Sequence, residues 1–255
     1  GATFYSNGLS GTWWEADLDR KGEIQALFGE AYIDIGDKTQ LTLGFRNYDQ
    51  DMDLVASNGY YGDMQFGITN EQFNSSASGT IPKINIKHNI SDNLMVYGTY
   101  TEGFRPGGVN RLRPSDPAPK TYDADYLESI ELGFKSTLAD GKLTMNGALY
   151  SMDWQDYQTT TYDLDLVAVA FVDNVGNAEI TGLELNINYA INDTTSLTYY
   201  FNGVDSTLSE DYFQTGVLYA TAGNRLSYMP ETSAYVSLDK DFNIMGNSAY
   251  MNIDY

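Results

Sequence analysis

"LESIELGFKSTL", residues 127–138, alternates between two chemistries. Leu127, Ser129, Glu131, Gly133, Lys135 and Thr137 fall on one side of an extended chain. Ile130, Leu132, Phe134, Ser136 and Leu138 fall on the other. Successive side chains of a strand point to opposite faces, so a period of two reads as a strand with one apolar and one polar face. "TGLELNINYAI" (181–191) repeats the pattern, with Leu183, Leu185, Ile187 and Tyr189 set against Gly182, Glu184, Asn186 and Asn188. "SAYVSLDKDF" (233–242) does so again, with Ala234, Val236, Leu238 and Phe242 opposite Tyr235, Ser237, Asp239 and Asp241.

Working outward, five short turn signals punctuate these runs: Gly36-Asp37-Lys38, Ser91-Asp92, Ala139-Asp140-Gly141, Asn192-Asp193-Thr194 and Met245-Gly246-Asn247. Each carries the Asp, Asn or Gly that a tight hairpin needs. Between them lie longer connections near 57–78, 105–122, 162–177 and 212–227. The pattern predicts ten strands: 22–35, 39–56, 79–90, 93–104, 124–138, 142–161, 178–191, 195–210, 229–243 and 247–255. Short turns at one end and long loops at the other, joined by strands with one apolar face, predict an antiparallel transmembrane β-barrel. The turns would be periplasmic and the loops extracellular. A sandwich or a propeller is the soluble alternative, but the strands are too long and too few per repeat for either.

Composition narrows the function. The net charge of −21 removes the basic face that nucleic acid requires, so no nucleic-acid partner is expected. With no cysteine, neither a disulfide framework nor a thiolate metal site can form. A single histidine, His88, leaves little for a metal centre or a Ser-His triad. No cofactor and no enzyme activity are expected. The longest apolar run, Leu166 to Val172, is strand-sized and far short of a membrane helix. The 21 tyrosines suit the aromatic girdles of a barrel wall. Gly1 opens neither a basic nor an apolar leader, so the chain reads as a mature protein or a piece of one.

Four blocks in order carry a resemblance: "VYGTYTEGFRPGGVN" (96–110), "YLESIELGFKSTLADGKLTMNGALYSMDWQDYQ" (126–158), "NVGNAEITGLELNINYAINDTTSLTYYFNGVDSTLSE" (174–210) and "AGNRLSYMPETSAYVSLDKDF" (222–242). Together, over roughly residues 80 to 243, they resemble the barrel of TonB-dependent outer-membrane receptors, closest to the iron-complex or siderophore-receptor type. The resemblance implies a 22-stranded barrel around a plug that TonB engages, in the outer membrane of a Gram-negative bacterium. Residues 1–255 would then be about ten strands of that barrel, with the N-terminal plug and the terminal strands outside this stretch. It implies import of a scarce nutrient, such as a ferric siderophore or another metal or organic complex. A passive porin-like or adhesin barrel is the alternative. Membrane lipid and lipopolysaccharide are the surrounding partners.

The loop after strand 93–104 gathers Arg105, Arg111, Arg113 and Lys120, four of fourteen basic residues in the chain. Guanidinium groups bind carboxylate and phosphate through paired hydrogen bonds. Arg105, Asn110, Arg111 and Arg113 are therefore the candidate substrate-binding residues, for a nutrient that is anionic or an iron chelate. Lipopolysaccharide phosphate is the competing ligand for the same cations. "YDQDMD" (48–53) and "YDADY" (122–126) cluster carboxylates but lack a calcium-loop pattern, so they read as solvated acidic loops and no metal site is expected. His88 reads as a surface or lumenal imidazole, and Trp13, Trp14 and Trp154 as girdle or packing residues.

Overall fold

The structure is a computed structural model that describes residues 2–3, 12–60, 69–110, 118–162, 170–214 and 216–255, with side chains from 19 to 55 and from 72 onward within those ranges. The first strands are β1 (Ala2–Thr3), β2 (Thr12–Ile35), β3 (Thr39–Tyr60), β4 (Thr69–Ser91) and β5 (Leu94–Arg105). After a small ribbon of β6 (Gly108–Val109) and β7 (Thr121–Tyr122) come β8 (Asp125–Leu138) and β9 (Leu143–Gln155). A second ribbon, β10 (Gln158–Tyr162) and β11 (Ala170–Asn174), precedes β12 (Ala178–Asn192) and β13 (Thr195–Leu208). A third, β14 (Tyr212–Gln214) and β15 (Val217–Ala220), precedes β16 (Thr232–Ile244) and β17 (Asn247–Asp254).

One sheet runs β1-β2-β3-β4-β5-β8-β9-β12-β13-β16-β17, and each neighbouring pair is antiparallel. The ten long strands expected from the sequence are all present, in sequential order. The three ribbons stand apart from the sheet, each inserted between consecutive long strands at the long-loop end. At the other end the five turns lie where the sequence puts them. Ala139 and Asp140 (φ 52° and 53°) and Met245 (φ 52°) adopt the left-handed region there, tolerated in two-residue reversals.

Three boundaries differ from the sequence reading, for physical reasons. The expected strand 22–35 begins at Thr12, because its backbone goes on pairing with β3 as far as Tyr60. The expected strand 142–161 breaks after Gln155, because Asp156 turns left-handed (φ 53°) and its N–H donates to Asn177 Oδ1 at 3.1 Å. The expected connection 57–78 is largely strand, since β3 continues to Tyr60 and β4 begins at Thr69. Its Ser- and Asn-rich sequence carries little apolar alternation and so reads as a loop, although its backbone pairs with β3 from Ser78 to Thr69.

The two faces sort as the period of two requires. Across β2, β3, β4, β5, β8, β9 and β12, one row of register partners reads Ile33, Leu41, Ile86, Gly98, Leu132, Leu149, Leu183. The adjacent row, on the other face, reads Asp34, Gln40, Lys87, Tyr97, Gly133, Ala148, Glu184. The apolar row is not covered by any second sheet: Leu132 is 63% and Leu149 60% exposed. A sandwich would bury this face, so that alternative fails and the wall of a barrel remains. The buried clusters sit instead at the long-loop end, the largest formed by Val175, Ala178, Ile180, Leu208, Tyr212 and Leu226.

Glycines recur where an aromatic partner lies flat across the neighbouring strand. Tyr97 covers Gly133 and donates on to Glu131 Oε1 at 2.7 Å, and Tyr150 covers Gly182. A Cβ at Gly133 would lie 2.5 Å from the Tyr97 ring, and one at Gly182 would lie 2.2 Å from that of Tyr150. Gly22 has nothing within 4 Å of such a Cβ. Gly182→Val is therefore expected to destabilise the wall by roughly 1–3 kcal/mol through overpacking, with Gly22→Val near neutral. Urea unfolding midpoints in micelles of the full-length protein would read the difference, and equal midpoints would refute the packing argument.

Candidate functional site: a tyrosine-lined cleft at the long-loop end

The site is built by loops that fold back over the polar face of the wall. Tyr150, Met152 and Trp154 of β9 share one face, and their register partners on β12 are Gly182, Ile180 and Ala178. Lower in the wall this face carries Glu184 and Asn202. At its upper end it turns apolar, because Val175, Leu208, Tyr212 and Leu226 pack over it. Burying that surface holds the ribbons inward rather than splayed into water.

A single carboxylate anchors the arrangement. Asp125, at the start of β8, is 1% exposed. Its Oδ1 accepts from the Arg105 backbone N–H at 3.1 Å. Its Oδ2 accepts from Arg105 Nε at 2.9 Å, Trp154 Nε1 at 3.0 Å and the Gln158 backbone N–H at 3.1 Å. Arg105 Nη2 also pairs with Asp125 Oδ2 and donates to the Gln158 carbonyl at 2.8 Å. The guanidinium lies over the rings of Trp154 and Tyr157, 4.7 and 5.7 Å from their centroids. Burial of a carboxylate is tolerable only when its lone pairs are filled this fully.

Side-chain amides stitch the loops together. Asn110 Nδ2 donates to the carbonyls of Pro119 (2.9 Å) and Val172 (2.7 Å), and its Oδ1 accepts from the Val172 N–H (2.8 Å). Gln158 Nε2 donates to the carbonyls of Pro106 (3.1 Å) and Asp123 (2.7 Å). Asn174 Nδ2 reaches the carbonyls of Asp123 (3.1 Å) and Asp156 (2.7 Å), while its Oδ1 accepts from the Asp123 N–H (2.8 Å). Connections 105–124 and 156–177 are thereby tied into one body.

Between that body and segment 212–228 lies a cleft of about 980 Å³, within the range that holds small molecules. Tyr122, Tyr157, Tyr162, Tyr212, Tyr219 and Tyr228 line it, with Thr159 to Thr161 and two arginines, Arg105 and Arg225. The Tyr212 hydroxyl donates to Asp173 Oδ2 at 2.6 Å, linking the two walls. Burial first, and then that hydrogen bond, push the Tyr212 phenol well above its ordinary range, so it stays protonated and donating at neutral pH. Tyr228 stands fully exposed at the rim in the left-handed region (φ 64°), a strained state for an aromatic residue. The buried Thr161 hydroxyl finds no partner among the described residues.

Of the residues singled out in the sequence, Arg105 lines the cleft and Asn110 is a buried loop tie. Arg111 and Arg113 lie outside the described residues. Asp125 and Trp154 turn out to be the anchor and its partner; "YDADY" is thus a structural carboxylate site as much as a wetted loop. His88 sits at the opposite end of the wall, with Nδ1 2.8 Å from Thr39 Oγ1. Among the described residues no group of three or more His, Asp or Glu is arranged to hold a metal ion. The signal for the inward fold was in the sequence: Met152, Trp154 and Ile180 are apolar residues on the polar parity.

Replacing the anchor tests this arrangement. Asp125→Ala leaves the Trp154 and Gln158 donors unpaired, at about 1–3 kcal/mol for each buried group. Limited proteolysis is expected to nick 105–124 and 156–177 faster, with the heat-modifiable migration of the folded barrel retained. Unchanged nicking would show that the carboxylate does not organise the loops.

Comparison with known proteins agrees with the wall. Residues 2–254 match the model of the family described as TonB dependent receptor-like, beta-barrel. The pesticin receptor of Yersinia enterocolitica (serotype O:8 / biotype 1B) is 24% identical over 184 residues, 72% of this chain and 26% of that protein. The crystal structure of the ferric yersiniabactin uptake receptor FyuA from Yersinia pestis superposes with a TM-score of 0.77 at 16% identity, covering 99% of this chain and 36% of that one. The ferric-catecholate import receptor Fiu from E. coli K12 in its closed form gives a TM-score of 0.67 at 14% identity, over 88% of this chain and 32% of that one. The siderophore receptor PiuA from Acinetobacter baumannii gives 0.66 at 16% identity, over 93% and 36%. The chain thus spans about a quarter of the length of the curated relative and about a third of these solved structures. With a family match running from residue 2 to 254, this chain belongs to the TonB-dependent receptor-like β-barrel family.

Proposed function

We propose that this chain forms part of the barrel wall and mouth of an outer-membrane transporter that imports a scarce nutrient, a ferric siderophore or a comparable metal or organic complex. The observation that carries the proposal is the inward fold of the loops, which builds a tyrosine- and arginine-lined cleft over the polar face of a family barrel. A cleft on the polar face of the wall suits a solute that must next pass through the barrel. Similar proteins, the ferric yersiniabactin uptake receptor and the ferric-catecholate import receptor, support the same substrate class. In this reading the wall of residues 1–255 continues into further strands, 22 in all, around a plug that TonB engages to drive uptake. Arg105 meets the substrate from the cleft wall, Asn110 holds its loop in place, and Arg111 and Arg113 extend the same loop. Lipopolysaccharide and lipid surround the apolar row.

Two measurements test this. In iron-limited cells, uptake of the cognate ferric complex should disappear when either the full-length receptor or TonB is deleted. Uptake that survives loss of TonB would make the barrel a passive pore. For the membrane placement, Leu132→Arg should weaken assembly by roughly 2–4 kcal/mol if the site lies near the midplane. Cysteine at 132, but not at 131, should react with a lipid-soluble probe; the reverse labelling would invert the two faces.

A further inference from the structure

We infer that the cleft takes a metal chelate of near-zero net charge with aromatic rings on its periphery, rather than a polyanionic one. This rests on the chelate-uptake reading above and narrows it. Both arginines that line the cleft are already neutralised. Arg105 is held by Asp125 through paired contacts, with Nη2 further committed to the Gln158 carbonyl. Arg225 Nη1 lies 3.3 Å from Asp205 Oδ1 and 3.4 Å from Glu231 Oε1, and its Nη2 is directed at the carbonyls of Val204 and Met229, each at 3.4 Å. Asp173 adds a fourth carboxylate, bonded to Tyr212. A polyanion entering here would meet no uncommitted cation among the described lining residues, and would have to displace carboxylates already in place. A guanidinium paired in this way adds no net charge, but it still offers hydrogen-bond donors and a flat face.

What the cleft does offer is aromatic surface and phenolic hydroxyls. Tyr162, Tyr219 and Tyr228 are exposed within it. Tyr228 is held at the rim by a backbone conformation that an aromatic residue seldom adopts, so its ring is placed at a cost the surrounding turn sustains. Rings in such positions stack on planar ligand groups in offset or edge geometry. The chelate's apolar periphery then supplies the contact that charge does not.

Equilibrium dialysis of the full-length receptor with radiolabelled iron in three complexes, each with excess free ligand, reads this out. Ferric tris-benzohydroxamate is neutral and aromatic, ferric tris-acetohydroxamate neutral without rings, and ferric tris-catecholate aromatic and trianionic. The benzohydroxamate complex should bind tightest, each of the others about tenfold more weakly. Its affinity should hold steady between about 0.05 and 0.5 M salt, because no long-range attraction is being screened. Asp205→Asn combined with Glu231→Gln releases Arg225 and should selectively improve binding of the catecholate complex. Tightest binding by the catecholate complex, weakening as salt rises, would overturn the charge inference and leave the uptake reading standing. So would a double variant with unchanged catecholate affinity. Binding of none of the three to a folded receptor would overturn the chelate-uptake reading and this inference together.

Discussion

A peptide group in hydrocarbon has no solvent to bond, and the wall follows from that constraint. Antiparallel neighbours exchange every N–H and C=O through the ladder, so the sheet has to run on from strand to strand in chain order, as it does from β2 to β17. Once the ladder has fixed the backbone, the period of two leaves only one choice, which face meets lipid. Leu132 and Leu149 on one row and Glu184 and Lys87 on the next make that choice consistently across the strands. The same rule returns above the wall in another form. There the loops fold away from solvent, and their carbonyls and N–H groups find side-chain amides instead of ladder partners. Asn110, Gln158 and Asn174 do at the mouth what strand neighbours do in the membrane.

Asp125 joins the two regimes. It begins a wall strand, yet its carboxylate is spent on the loop that precedes it and on the ribbon that follows β9. The position of the cleft is therefore fixed by the wall itself, and the loops cannot drift without breaking a buried ionic contact. Tyr212, donating to Asp173, makes the corresponding tie on the far side. The cleft is framed by these two bonds, and its tyrosines inherit their placement from them.

The wall was legible because alternation and turn residues are local signals. The ladder then turns local signals into a global arrangement, and all ten long strands and five turns appear where those signals lie. The upper halves of β3 and β4 were not legible, because a Ser- and Asn-rich stretch looks alike in a loop and in a polar strand. The break at Asp156 was hidden for another reason: it depends on Asn177, twenty-one residues away. The site was half legible. Arg105 was found as a cation, but its partner is twenty residues on, and no sequence spacing announces that pairing. Asn110 reads in the sequence as a candidate ligand contact, and in the structure its amide is bonded to Pro119 and Val172. Met152, Trp154 and Ile180 carried the missing information, since an apolar residue on the lumenal parity has to be covered by something.

The tall hairpin of β2 and β3 has a consequence for how this protein can change over time. Their register runs unbroken from Ile35 and Thr39 to Trp14 and Tyr60, about twice the ~9–11 residues a bilayer crossing uses. Beyond the apolar rows one face of β3 is still packed: Tyr48 stacks on Phe104, and Leu54 clusters with Phe73 and Val109, while Asp49, Asp51 and Asp53 stay exposed. Substitutions at the exposed aspartates leave that packing untouched, whereas truncating Tyr48 or Leu54 opens a void beneath the loops. The same strand thus sets positions held by packing beside positions open to drift, in alternation, all the way along its described length.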